Sequence, residues 1–474
     1  MSLKRLSAWL VVAAIVAPRV AFADTPATLS APASEEKKEF GGMVDGRIGI
    51  GQIDEDLFLS VNIGTVLTWW KLGVGVQVPL RFRVQDNDPQ QDGVFRKEEW
   101  DEVSDWTRVV RFISWGKEGE WLYVRLGVLE GTTLGHGTIV DRYMNVIDAD
   151  HYQTGLQVEV DLDKGGGEFF LDNIIDPEIF GIRGFVRPFQ LWDGAPELSK
   201  TVEVGLTLAD DTHAPLYVNK DQDGFRETNE DGDLLTTESN AFLIGVDLSW
   251  LWQPIDWYSF KPYTDLNFLT QTGGVGYHLG VANTFDIQQV VTGGLRVEYR
   301  VATADYSPGY INSWYDVERL DYRDDPTPPP PIPGRPVERV TKLDFYSSLD
   351  EAGTDDARHG WHADLNINIM EVFTIWGLLE DMQGVDNTNL TIGISLPYIA
   401  GVRTQLYYAK RNFDDADEAF DLDRGLLVAD FRYKFWGPMF VYATYSREWR
   451  LDQEAGQYET INDWDTGVGA EFTF

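Results

Sequence analysis

Between Asn219 and Glu230 the chain reads NKDQDGFRETNE. Counting Asn219 as position 1 places Asp221 at 3, Asp223 at 5, Glu227 at 9 and Glu230 at 12. Gly224 falls at 6, and Phe225 offers its carbonyl at 7. Hard oxygens at these offsets can converge on one cation: the glycine permits a sharp turn, and the last glutamate closes the shell with two oxygens. Calcium is the ion that suits such a shell, and it is the cofactor expected here. The competing reading is an acidic solvated loop. A second frame from Glu227 to Glu238 shares four residues with the first and begins on Glu, so the two would compete or form one extended site.

This spacing resembles an EF-hand calcium loop, with Asn at the first position and strand-like rather than helix-like flanks. A second concentration of reactive side chains lies in EGTTLGHGTIVDRYMNVIDADHYQTG, residues 130–155. Glu130, His136, Asp141, Asp148, Asp150 and His151 sit there among Leu134, Ile139, Val140 and Met144. A hydrolase reading would make one histidine a general base and recruit a hydroxyl. Neither GxSxG nor HExxH occurs, and His136 between two glycines is as readily a turn residue. The expectation is a protein that is not an enzyme.

The elements that must hold these groups show a period of two. In GLRVEYRV the residues Leu295, Val297, Tyr299 and Val301 oppose Arg296, Glu298 and Arg300. QVPLRFRV sets Val78, Leu80, Phe82 and Val84 against Arg81 and Arg83, and GLQVEVDL sets its aliphatics against Glu159 and Asp161. LLVADFRYKF alternates Phe431, Tyr433 and Phe435 with Asp430, Arg432 and Lys434. Such segments run about 9–11 residues, the length of a tilted strand crossing a bilayer. Soluble strands average about 5–6, and Trp69-Trp70, Trp115, Trp121, Trp250, Trp252, Trp257, Trp436 and Trp464 gather near their ends as interfacial girdles do. A soluble sandwich or propeller accommodates these features less well. The polar faces then point to water: Arg81, Arg83, Arg125, Glu159, Asp161, Arg296, Glu298, Arg300, Arg403, Asp430 and Arg432 are the expected pore-lining residues.

The N-terminus carries Lys4 and Arg5, an apolar run to Ala17, and Ala21-Phe22-Ala23. This reads as a secretory signal over residues 1–23, followed by a flexible lead-in at 24–39 and a barrel at 40–474. The alternative, an uncleaved anchor, is too short and is interrupted by Pro18 and Arg19. Without the leader, 36 basic residues face 77 acidic ones, a charge of −41. That excludes nucleic acid as a natural partner. There is no cysteine, so thiolate chemistry and disulfides are excluded as well.

Connections alternate between short turns, such as Trp70-Lys71 and Trp436-Gly437-Pro438, and longer acidic segments at 85–105, 131–152, 213–239, 303–358, 413–423 and 450–462. The expected fold is all-β: a transmembrane antiparallel up-and-down barrel of 16–20 strands, with 20 the best count. Short periplasmic turns and long acidic extracellular loops complete it. The chain closes on DWDTGVGAEFTF, an alternating strand ending in Phe474.

With this set of features the chain resembles a bacterial outer-membrane β-barrel of porin-like size, a Gram-negative class. The resemblance implies a localisation in the outer membrane, contact with its lipids, and recognition of the C-terminal strand by the barrel-assembly machinery. It also implies that residues 130–155, the third long-side loop, resemble a constriction loop that folds into the channel. The function expected is passive diffusion of small hydrophilic solutes or ions with a weak preference for cations. The alternative is a structural or surface-anchor barrel, serving adhesion, motility or an envelope-spanning complex, with its lumen plugged by its own loops. The proline-rich DDPTPPPPIPGRP at 324–336 is expected in an extended surface loop. Nothing in the sequence specifies an oligomeric state.

Overall fold

The computed structural model describes residues 40–474 apart from 54–55, 88–92, 97–98, 101–104, 147–151, 222–224, 230–233, 325–338, 352–356, 371, 385–386, 423 and 453–456. The signal, the lead-in and most of the proline-rich run therefore lie outside the described residues.

Twenty strands carry the architecture. They are β1 (Phe40–Ile53), β2 (Asp56–Trp69), β3 (Leu72–Gln85), β4 (Val110–Trp115), β5 (Leu122–Gly127), β6 (Gly155–Leu162) and β7 (Gly165–Leu171). Next come β8 (Ile179–Val186), β9 (Val202–Val218), β10 (Thr236–Trp250), β11 (Tyr258–Leu269), β12 (Gly274–Ile287) and β13 (Val291–Ala302). The last are β14 (Arg358–Ile369), β15 (Phe373–Met382), β16 (Thr388–Ile399), β17 (Val402–Phe413), β18 (Leu426–Trp436), β19 (Met439–Asp452) and β20 (Gln457–Thr473). Each pairs antiparallel with the next, and β20 returns to β1 from Met43↔Thr473 to Gln52↔Trp464. Phe474 extends that seam by exchanging two backbone hydrogen bonds of 3.0 Å with Gly42. Closure removes every sheet edge, which a hydrocarbon solvent demands.

Alternation decides the two faces. On β13, Val297 and Tyr299 are 46% and 49% exposed, whereas Glu298 and Arg300 are 1% and 2%. On β18, Phe431, Tyr433 and Phe435 face outward while Asp430 and Arg432 are buried inside. An exterior of exposed Ile, Leu, Val and Phe over so many strands is a lipid surface. Trp69, Trp70, Trp121, Trp252, Trp257 and Trp436 stand exposed at the short-turn end, as a girdle. Trp464 departs from that pattern: it lies within β20 and donates its indole N–H to Gln52 of β1 at 3.1 Å.

Three expectations about connections are corrected. Segment 450–462 is mostly strand, because β19 and β20 continue pairing to Asp452↔Gln457, with Arg450 opposite Glu459. Charge alone had marked it as loop, yet charged residues continue the ladder here, and Arg450 pairs across it with Asp463 at 2.8 Å. The loop expected at 213–239 shrinks to 219–235, since β9 and β10 stay paired past two irregularities to Val218↔Thr236. The end carrying Phe40 and Phe474 is not confined to short turns either: residues 187–201 form a long connection with 3₁₀ turns at Pro188–Leu191 and Glu197–Thr201.

Candidate functional site in the loop-filled lumen

Two connections turn inward. In the first, residues 128–154, the Leu134 N–H donates to the Val140 carbonyl at 3.2 Å and the Gly137 N–H to the Leu134 carbonyl at 3.0 Å. The tip is thus Gly135-His136-Gly137, with positive φ at both glycines. At Gly137 a Cβ would lie 2.6 Å from Arg296 Nη1, so backbone and guanidinium approach as only glycine allows. The second connection runs from β13 to β14. Its Ile311–Asn312 lies parallel to Val140–Asp141, and the Gly309 and Ile311 N–H groups donate to the Thr138 and Ile139 carbonyls at 2.9 and 3.1 Å. Two helices follow, α1 (Tyr315–Glu318) and α2 (Lys342–Glu351). These bonds satisfy backbone that burial would otherwise orphan.

The described parts of 303–358 therefore do not form an extended surface loop. Val140, Tyr143, Tyr306, Tyr310, Ile311 and Tyr315 are wholly buried and pack on Phe170, Ala209, Ala241, Leu243 and Ala302 of the inner wall. Small wall residues leave the space that the tyrosines fill. A second cluster joins Trp314 and Val317 to Tyr407, Leu426, Trp449 and Tyr458 of β17–β20. The loops thus reach from one wall to the other. Burying an aromatic side chain in this way contributes roughly 1.5–3 kcal/mol each.

Ion pairs anchor the plug. Arg296 on β13 bonds Asp141 at 3.0 Å and Asp364 at 2.6 Å, and also donates to the His136 carbonyl. His136 Nδ1 and Thr138 Oγ1 each bond Asp265 of β11, at 2.9 and 2.7 Å. His278 Nδ1 bonds Glu298 at 2.9 Å, and His362 reaches Glu380 through Nδ1 and Asp364 through Nε2. Deeper in the plug, Glu318 accepts from Lys342 at 2.7 Å and Arg411 at 2.6 Å. Burial alone would raise that carboxyl, but Arg411 and Lys342 prevail and hold it at about 2. Asp172 and Asp316 have weaker support. Burial pushes Asp172 up to about 8 and Asp316, which accepts from the Tyr143 hydroxyl at 3.0 Å, to about 7.

The expected pore-lining residues divide by surroundings. Arg81, Arg125, Glu298, Arg300, Asp430 and Arg432 are buried on the inner face. Arg83 pairs with Asp56 at 2.7 Å, Glu159 and Arg403 are half-buried, and Asp161 meets Arg187 at 2.6 Å near the short-turn mouth. Of the constriction residues, Glu130 bonds Arg111 and Arg125 at 2.8 and 3.0 Å, and His136 and Asp141 are placed as above. Asp148, Asp150 and His151 lie outside the described residues. Asp265, rather than an imidazole, holds the Thr138 hydroxyl, so His136 is not positioned to take its proton. Asp141, His362 and Glu380 come close enough to share an ion, yet Arg296 Nη2 stands 2.7 Å from His362 Nε2 and supplies the positive charge itself.

In the loop where calcium was expected, Asn219 Oδ1 accepts from Thr237 and the Phe225 carbonyl from the Asp221 N–H, both at 2.8 Å. Asp221 Oδ1 also accepts from the Phe225 N–H at 2.8 Å. Glu227 is exposed, and Asp223 and Glu230 lie outside the described residues. Sequence reasoning missed Asp265, His362, Glu380, Lys342 and Arg411. Their signal was faint, although the tyrosines at 306, 310, 315 and 322 mark a segment too aromatic for a solvated loop.

The wall of β1, β3, β18 and β20 holds buried polar atoms without hydrogen-bond partners, as the plug does at His136 Nε2. They include Arg47 Nη2, Gln77 Oε1, Asp430 Oδ2 and Asp465 Oδ1. A dry core does not tolerate such a collection. Water does.

No protein-family model and no curated protein matches the chain. Among solved structures it is similar to the siderophore receptor PirA from Acinetobacter baumannii, at 9% identity over 93% of this chain and 81% of that one, with a TM-score of 0.35. It is also similar to OccK11 (OpdR) and OccK5 (OpdH) of Pseudomonas aeruginosa, at 9% and 8% identity. Those alignments cover 92% of this chain and 97% and 99% of theirs, with TM-scores of 0.32 and 0.31. At these scores the architecture rests on the closed ladder itself. The chain is a twenty-stranded transmembrane β-barrel.

Proposed function

We propose that this barrel is an outer-membrane channel for small hydrophilic solutes, narrowed by its two inward loops. The observation that carries this reading is the set of buried polar atoms without hydrogen bonds on β1, β3, β18 and β20, on the side of the barrel where β20 closes on β1. Solvent filling that side gives a hydrated route along the wall. Weak cation preference follows from the acidic excess at the mouths, with inner arginines acting against it. Phe474, paired into the closing seam, is the residue offered to the barrel-assembly machinery. Calcium binding by Asn219, Asp221, Asp223, Phe225, Glu227 and Glu230 is carried forward as well; the ion must share or displace the bonds now made to Asn219 and the Phe225 carbonyl.

Planar-bilayer recording tests the channel reading. Discrete steps with a reversal potential displaced modestly toward that of the cation are expected in a salt gradient. The filled half of the lumen favours a second reading, a plugged anchor. Absence of steps in the wild type, with steps appearing only in a plug-releasing variant, would move the assignment there.

A further inference from the structure

Residues 187–201 are the longest described connection at the end bearing Phe40 and Phe474, and they carry Phe189, Leu191, Trp192 and Leu198 exposed to solvent, Leu191 at 63% and Trp192 at 59%. Arg187 at one end pairs with Glu203, which also bonds Arg183 of the inner face, and Leu198 near the other end lies against the outer face. Trp250, on the lipid-facing side of β10 with Val246 and Leu248, donates its indole N–H to the Leu198 carbonyl at 2.8 Å. Thr201, which leads into β9, donates its hydroxyl to the Leu251 carbonyl at 2.5 Å. Trp250 in turn stacks on Trp252 at 6.3 Å. The apolar surface of this segment is therefore continuous with the tryptophan girdle. Three of its four charges are paired: Lys200 with Glu197 at 2.6 Å, and Arg187 with Asp161 and Glu203 at 2.6 and 3.0 Å; Asp193 is exposed.

We propose that residues 187–201 form an interfacial foot, seated among the phospholipid headgroups of the leaflet at the short-turn end. Aromatic and aliphatic side chains beside charged ones suit that layer, where one side of a segment is apolar and the other wet. The connection supplies an anchor to one side of the barrel only, β8–β10, and so fixes its depth and tilt there. The inference rests on the membrane-spanning reading of the barrel.

The absence of cysteine makes a clean test. Single-cysteine variants Leu191→Cys, Leu198→Cys, Glu197→Cys and Val246→Cys are spin-labelled and placed in vesicles of phosphatidylethanolamine and phosphatidylglycerol. Collisional accessibility to oxygen and to a polar nickel chelate is then measured. The expected order of the oxygen-to-chelate ratio is Val246 highest, Leu191 and Leu198 intermediate, Glu197 lowest, with at least a several-fold span. Water-like ratios at both Leu191 and Leu198 beside a high ratio at Val246 would overturn the foot and leave the barrel standing. So would labels at both leucines shielded from both reagents, which would mean a protein partner. A water-like ratio at Val246 would sink the membrane reading itself.

Discussion

Two apolar connections leave the sheet in opposite directions. The described parts of the 303–351 segment enter the lumen and hide Tyr306, Tyr310 and Tyr315 completely; the 187–201 segment stays at the short-turn rim and leaves Leu191 and Trp192 exposed. Composition does not separate them, since both mix aromatics with charges. Partners do. The inner wall offers Asp211 to the Tyr315 hydroxyl at 3.0 Å and Arg411 to Glu318, next to alanines that leave room. Beside the 187–201 segment the outer wall offers indoles and aliphatics, Trp250, Val246 and Leu248. A segment whose polar tips are met inside settles there, and one without such partners stays at the rim.

The sharpest way to break that comparison is to empty the plug. Tyr315→Ala should cost about 3–5 kcal/mol of plug docking, seen as faster amide exchange over 303–322 and larger conductance. Trp192→Ala should leave both unchanged. Equal effects from the two variants would erase the distinction drawn between the segments.

Arg296→Met comes next, at about 3 kcal/mol, because it strips Asp141 and Asp364 of their common partner. Chemical denaturation of the detergent-solubilised barrel should show an early transition assigned to residues 128–146. A single unshifted transition would mean that apolar packing alone holds the loop.

A pH series sharpens the inner half of the comparison. Folding raises Asp172 and Asp316 above the ordinary carboxylate value, to about 8 and about 7. The folded plug thus favours their protonated forms. Stability from these groups is complete below the usual carboxylate range and is lost as pH rises to those values. Protection factors over 303–322, with the intrinsic pH dependence of exchange divided out, should therefore be lower at pH 9 than at pH 6, while those of the foot, which holds neither group, should not change.

The smallest expected effect is outside both segments. Calorimetry with calcium should give millimolar-range binding, abolished by combining Asp221→Ala, Asp223→Ala and Glu230→Ala. Identical heats from both proteins would remove the ion from the account.

What the sequence by itself determined is the barrel. Side-chain direction alternates with each residue of a strand, so the faces of Leu295–Val301 or Leu427–Phe435 are local properties, and strand count and closure follow from repeating them. The inward turn of the loop carrying His136 and Asp141 was expected from its place after β5, a matter of counting, together with the resemblance to porin-sized barrels. Hairpin length was less legible: Arg450 and Asp452 look like loop residues until Glu459 and Gln457 are opposite them. Only the tertiary structure decided what fills the lumen. Whether Tyr310 is buried, whether Arg296 meets Asp141, or whether Leu198 lies beside Trp250 depends on partners tens to hundreds of residues away, and no local period records them.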